Sequence, residues 1–415
     1  MKFIADFHLH SKYSRATSQQ MNLENLSEWG KLKGIKILGT GDFTFFAWFK
    51  EIKEKLEPAE PGLFKLKNGK NETRFILTTE VSCVYKKREE IKKIHIIIFA
   101  PSLETVEKIN NRLHIFGNLN VDGRPTLNLD AKELVKIVLD VSENCLIVPA
   151  HIWTPWFSLF GSRSGFNSIE ECFQEYSEYI FSGETGLSSD PPMNWRLSAL
   201  DRITLISNSD AHSLSNIGRE ANVFETEIDY PSILEAIKTK NPKKFLYTIE
   251  FFPEEGKYHY DGHRICGVSL SPTETKKYNG ICPVCKKPLT IGVLNRVEQL
   301  ADRPEGFVPN NAIPFKSLIP LKEILSEAMG ATAQSEKIQK EYQKLIKEFG
   351  NEFNILLETK TEDIEKVAGE KIAFAIEKMR KGEVIKEPGY DGVYGKIKIF
   401  GKKEIQKTKK QGLLF

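Results

Sequence analysis

The chain has 415 residues, 40% of them hydrophobic and 28% charged, with a formal net charge of only +3. That length predicts two or three domains, and the composition excludes disordered and fibrous classes. So small a charge excludes an argument for nucleic-acid binding from the total, which leaves local patches to carry it. There is no basic-then-apolar leader and no apolar run near the roughly 18 residues of a membrane helix, so a cytoplasmic protein without membrane contact is expected.

Up to about residue 240, short β-rich runs at 3–6, 35–39, 75–77, 94–99, 145–148 and 203–206 alternate with helical spacing such as Leu23–Lys33. Such alternation predicts an α/β parallel sheet or barrel, with functional residues at the C-terminal ends of the strands. The barrel is placed at 1–245 and a small Cys-containing module at 246–312. An α-helical domain is placed at 313–400 and a basic tail at 401–415. In the helical domain, Ile338, Tyr342, Leu345, Ile346, Phe349, Phe353 and Leu356 fall on one face.

Polar clusters follow the strands. His8-x-His10 presents two imidazoles to one side, because residues i and i+2 of a strand share a face. Asp42 follows the second strand and Glu80 the third. His95 lies in the apolar run 94–98, His151 follows Pro149-Ala150, and Asp210-Ala211-His212 follows 203–206. Imidazoles suit zinc or iron, and carboxylates suit manganese or magnesium. The mixed set predicts two or three divalent metals (Zn, Mn or Mg) bridged by a carboxylate, as in sites that perform in-line displacement at phosphorus.

His263-x-x-Cys266 and Cys282-Pro-x-Cys285 form a second set. Two ligand pairs of short internal spacing predict one closed, structural zinc. Cys83, Cys145 and Cys172 are scattered in apolar surroundings and read as core.

His8-x-His10, Glu80 with His95, Pro149-Ala150-His151 and Asp210-Ala211-His212 resemble the PHP (polymerase and histidinol phosphatase) superfamily. The resemblance implies a distorted seven-stranded β/α barrel. It implies one metal on His8, His10, Glu80 and Asp210, and a second on Glu80, His95 and His151, with Glu80 bridging. Asp42 and His212 join the metal residues, His212 at a third site. The chain departs from the pattern twice. Arg15 stands where the family often has a ligand, and Asp42 stands where it usually offers a histidine.

Two longer segments, 149–157 and 184–196, are similar to the archaeal endonuclease Q family, a resemblance that covers the whole chain. It implies a metal-dependent DNA endonuclease that cuts 5′ of deaminated bases (uracil, hypoxanthine, xanthine) or abasic sites in damaged double- or single-stranded DNA. Trp153, Trp156 and Phe157 beside His151 suggest a base-stacking surface. Arg163 and Arg196 suit phosphate. Asp190, in a Ser-Ser-Asp-Pro-Pro turn, suits a general acid or base, a metal ligand or a turn residue. With Asp210 and His212 it completes the expected catalytic set.

Residues 358–381 resemble half of a helix–hairpin–helix, a DNA-backbone module. Lys396, Lys398, Lys402, Lys403, Lys407, Lys409 and Lys410 make the tail basic. The terminal Gln411, Leu414 and Phe415 resemble a truncated sliding-clamp-binding motif, which predicts that partner. Two other classes stay open at this point: a small-molecule phosphomonoesterase of the histidinol-phosphatase kind, and a non-catalytic zinc DNA-binding protein. The full ligand set weighs against the second. The zinc module, basic tail and helical domain weigh against the first.

Overall fold

Short runs of branched and aromatic residues pair in the order the alternation predicts. Lys2–Asp6 lies parallel to Ile37–Gly39, which lies parallel to Arg74–Lys87. Arg74–Lys87 forms a long antiparallel hairpin with Glu90–Ala100, whose far edge pairs with Leu146–Pro149. The amide of Ile152, just beyond that strand, donates to the carbonyl of Glu184 at 3.0 Å. This brings in Ser182–Glu184, which lies parallel to Thr204–Ile206. A parallel bridge between Leu9 and Ala211 returns the ring to the first strand. The result is the distorted β/α barrel, seven strands round, in a computed structural model that describes residues 1–69 and 72–401.

The distortion has a visible cause. The first strand already gives its free edge to Ala221–Glu225, so Thr204–Ile206 cannot pair with it directly. Side chains stitch the gap. The Asn222 amide donates to Ser207 O at 2.7 Å and accepts from Ser207 N at 3.0 Å, while Asn208 Oδ1 accepts from Phe7 N at 2.9 Å. These amides stand in for missing ladder bonds, as buried backbone polar groups require.

Strands covered on both faces read as continuous apolar runs. In Glu90–Ala100, Ile94, Ile96 and Ile98 enter one core cluster, while Ile97 and Phe99 enter another with Phe7, Val148 and Phe224.

The expected barrel limit at 245 falls at the start of a strand. Phe245–Glu250 pairs with Ala221–Glu225, and Phe315–Ser317 adds to its other edge, so the sheet reaches past the Cys-containing segment. That segment folds as a hairpin, Asp261–His263 with Val268–Leu270, followed by the helix Pro272–Lys277 with a Ser271/Glu274 capping box. The helix predicted beyond 338 ends at Gly350, whose φ of 89° is left-handed; Phe353 and Leu356 belong to a separate turn. Thr361–Ala368 and Glu370–Arg380 hinge at Gly369. The hairpin Ile385–Glu387 with Lys396–Lys398 closes the described chain and returns to the Cys-containing segment, where Tyr260 N donates to Gly389 O at 2.9 Å. Lys402, Lys403, Lys407, Lys409, Lys410, Gln411, Leu414 and Phe415 lie outside the described residues. Among the described residues, no helix is long and apolar enough to cross a membrane.

Candidate metal centre

His8, His10, His151 and Asp210, just past strand ends, meet Glu80 and His95, which lie within the long hairpin, at one point of the barrel. Two donor sets form there, His8/His10/Glu80/Asp210 and Glu80/His95/His151, each with its ligand atoms within 4.8 Å of one another. Glu80 belongs to both and divides its oxygens between them. Its Oε2 lies 3.4 Å from His8 Nε2 and 3.2 Å from His10 Nε2. Its Oε1 lies 2.8 Å from His95 Nδ1 and 3.1 Å from His151 Nε2. Asp210 Oδ1 stands 3.1 Å from His10 Nε2 and 3.7 Å from His8 Nε2.

These donors fit divalent cations on an independent observation. His8 Nε2, His10 Nε2 and Asp210 Oδ1 are buried and make no hydrogen bond, although they face one another. Buried polar atoms without a partner cost free energy unless something else meets them. The opposite ring nitrogens are engaged. His8 Nδ1 meets both oxygens of Glu184, at 3.0 and 3.1 Å, and His10 Nδ1 meets Asp42 Oδ1 at 3.0 Å. Such partners set the tautomer and turn Nε2 toward the centre.

The carboxylates also set the local field. Burial alone would lower the pKa of His8 and His10. Glu184, Glu80 and Asp210 around His8, and Asp42, Asp210 and Glu80 around His10, raise both well above the usual imidazole value. Burial opposes ionisation of Glu80, yet His95, Arg124 and His8 hold it well below the usual carboxylate range. Burial pushes His95 down to about 4. The centre is therefore an anionic pocket that protons or divalent cations neutralise.

The backbone at the site is strained. Asp42, His151 and Asp210 all have positive φ, of 49°, 30° and 46°. Non-glycine residues hold that region only where their surroundings over-determine them. Glu184 does so at His151, accepting its amide at 2.8 Å. At Asp42 the Ser11 amide, the Ser11 hydroxyl and the Ser14 hydroxyl converge on Oδ2, at 2.6, 2.7 and 2.9 Å. Gly186 lies so close to His151 that a Cβ there would stand 2.5 Å from the histidine Cβ.

Several expected site residues lie elsewhere. Asp42 is outside both donor sets; its oxygens are taken by His10, Ser11 and Ser14, which makes it a support for His10. His212 sits at the rim with its ring 4.4 Å from that of His10, also outside both sets. Asp190 caps the short helix Pro191–Asn194, accepting from Met193 N at 3.0 Å, and burial pushes its carboxyl up to about 6.

The expectation that Trp153 stacks on a base is corrected: it is 0% exposed, packs on Phe160 and donates its indole N–H to Asn194. Trp156 is 41% exposed and meets Tyr258 edge-on, so the accessible aromatic surface is there. Phe157 packs on the His95 ring at 4.8 Å, beneath Lys93. Arg163 is exposed. The reading of Arg196 as a phosphate clamp is likewise corrected, because it is held by Glu298 and by Arg303 O.

Sequence reasoning missed Glu184 and Arg124. Glu184 carried a signal, a buried acid at a strand end before Thr185-Gly186. Arg124, whose Nη1 lies 3.1 Å from Glu80 Oε2, sits in an irregular loop and carried none. In the small module, His263, Cys266, Cys282 and Cys285 bring their ligand atoms within 4.8 Å of one another, and His259 stays outside that set.

The family model described as the MJ0043 C-terminal domain matches residues 320–383. The uncharacterized protein MJ0043 of Methanocaldococcus jannaschii is 34% identical over 59% of this chain, which covers only 31% of that protein's length. The uncharacterized protein YqxK of Bacillus subtilis is 30% identical over 96% of this chain and 99% of its own. The crystal structure of the lesion-specific endonuclease PfuEndoQ from Pyrococcus furiosus superposes with a TM-score of 0.86 at 32% identity, over 96% of this chain and 95% of that one. An endonuclease Q complex with a 27-mer duplex carrying an abasic lesion at its active site gives 0.85 at 32%, over 97% and 98%.

Proposed function

This chain belongs to the endonuclease Q family, and on that premise we propose that it is a metal-dependent DNA-repair endonuclease that hydrolyses the phosphodiester 5′ of deaminated bases or abasic sites. The observation that carries the reading is Glu80, a single buried carboxylate that faces two donor sets with different oxygens. His8, His10, Glu80 and Asp210 would hold one divalent cation, and Glu80, His95 and His151 a second. Cations at such a pair supply Lewis-acid polarisation of the phosphoryl group and acidify the attacking water. The protein's own share is positioning. Glu184 and Asp42 orient the two N-terminal histidines, and the barrel excludes bulk water from Glu80, which is 1% exposed. Asp190, with its carboxyl near 6, and His212 at the rim are the two groups suited to moving a proton near neutral pH.

Recognition rests on chemistry shared by the lesions. Deamination turns an amino donor into a carbonyl acceptor and the adjacent ring nitrogen into a donor. One pocket can therefore accept uracil, hypoxanthine and xanthine while normal bases leave its buried polar groups unpaired. That edge is hidden in a duplex, so the base must flip out. Trp156, exposed beside the centre, is suited to stack on it. His263, Cys266, Cys282 and Cys285 would hold one structural zinc, and the paired helices around Gly369 would contact DNA backbone. Binding to a sliding clamp through Gln411, Leu414 and Phe415 belongs to the same proposal.

The test is incubation with labelled duplexes bearing a single uracil or abasic site, beside a phosphomonoester, with and without chelator. Metal-dependent nicking 5′ of the lesion alone is expected. Phosphomonoester turnover without nicking would establish the small-molecule phosphatase instead, and binding without turnover would establish a non-catalytic DNA-binding protein.

A further inference from the structure

Two donor sets are assembled among the described residues of the barrel, and no third. The backbone amide of Arg15 is tied to Asp122 Oδ1 at 3.1 Å. The same oxygen accepts the amide of Arg124 at 3.2 Å. The loop held by this tether delivers a guanidinium. Its seating is close. Gly123 N donates to Tyr13 O at 3.1 Å, and a Cβ on Gly123 would stand 2.4 Å from Asp42 Oδ2.

Arg124 then reaches Glu80 Oε2 at 3.1 Å with one N–H. Among the described residues no other group meets its guanidinium, which leaves most of its five donors free. Its side chain is 27% exposed beside a fully buried Glu80, so the free donors open toward the mouth. Its charge is felt at Asp210 and at His212 as well as at Glu80.

We propose that Arg124 is a fixed third cation of this centre, beside the two that the donor sets would hold, and that it takes a non-bridging oxygen of the DNA phosphate with its free N–H groups. The inference rests on the endonuclease reading above. An arginine suits the task because it stays charged, holds a planar fork and needs no recruitment from solution. Its contact with Glu80 also keeps it from pairing with a more distant acid when no DNA is bound.

Arg124→Gln and Arg124→Lys test this with three readouts. Elemental analysis of the wild type should find three metals per chain, two in the barrel and the zinc. Arg124→Gln should keep all three. With the barrel metals removed by chelator, the Gln variant should bind an abasic duplex with a log–log salt slope shallower by about 0.9, the loss of one phosphate contact. Its single-turnover cleavage should fall by about 10²-fold or more with metals present. The Lys variant should restore the slope and only part of the rate, since it offers a point charge without the fork.

A fourth metal in the wild type overturns the proposal. So does a Gln variant that loses barrel metal, which would make Arg124 a prop for Glu80, and so does a Gln variant with wild-type slope and rate. A wild type that neither binds nor cuts lesion DNA defeats the endonuclease reading, and the metal count still decides whether the centre holds a third metal.

Discussion

The two ligand clusters of this molecule are built in opposite ways. The barrel centre draws its donors from residues 8 to 210, on separate strands and the turns that follow them, and the carboxylates that orient His8 and His10 are themselves buried. The small module draws four from residues 263 to 285, over a buried cluster of only Val268, Cys282 and Leu289. In the barrel, hydrogen bonds between protein groups help to set the site: the strained backbone at His151 is held by Glu184, which accepts its amide. The module has a small apolar core, so its order is expected to depend on an ion held by His263, Cys266, Cys282 and Cys285. Removing a ligand should therefore cost chemistry in the first and structure in the second.

The largest effect is expected at Cys282→Ser. Zinc content should fall by one per chain, and amides of residues 261–290 should lose hydrogen-exchange protection worth several kcal/mol, with the barrel amides unchanged. Retained protection would mean that the module folds on its own and the contrast fails.

Next is Asp210→Ala, expected to lower cleavage by more than about 10³-fold, since losing a residue that only orients a metal ligand already costs roughly 10–100-fold. Near-UV circular dichroism should stay that of wild type. Loss of that spectrum would show that the barrel, too, depends on its ions.

Asp190→Asn probes the barrel side by pH. The carboxyl is raised to about 6 from 3.8, so the native state favours its protonated form. Its contribution is fully present below about 4 and is lost as pH rises through about 6. Asparagine can keep the helix cap and should raise stability by up to about 3 kcal/mol above pH 6, with no gain below pH 4, in denaturant titrations. A gain that does not vary with pH would remove the ionisation argument. Cleavage by the same variant should fall if Asp190 moves a proton.

The smallest effect is assigned to Glu184→Gln, which keeps a hydrogen-bonding group beside His8 and weakens its orientation. Metal affinity or rate should drop roughly 10–100-fold with the fold intact. An unchanged value would mean that the His151 and His8 geometry is held by packing alone.

Local chemistry made part of this legible early. His8-x-His10 reads as one face because strand side chains alternate, and the two short cysteine and histidine pairs of the module read as a closed site because their spacing is set within a few covalent bonds. The apolar alternation gave the strands, and their ends gave His8, His10, His151 and Asp210, while Glu80 and His95 lie within longer strands than the apolar runs suggested. Trp153 and Trp156 show where such reading stops. They are three residues apart beside the same histidine, yet one is in the core and the other at the surface, because the turn after His151 reverses the chain between them.

What the sequence determined by itself was the kind of chemistry: imidazole, carboxylate and thiolate in strand-end and short-pair patterns, which are consequences of local geometry. What the tertiary structure alone decided was which acid supports and which binds. Asp42 and Asp210 each follow a strand, and both have left-handed backbones. Asp42 is consumed by Ser11, Ser14 and His10, while Asp210 keeps an oxygen free toward His8 and His10. That difference, like the arrival of Arg124 from a loop more than 40 residues past Glu80, depends on which hydrogen-bond partners long-range packing delivers. No local pattern encodes it, because a carboxylate becomes a ligand only when its neighbours leave it unsatisfied.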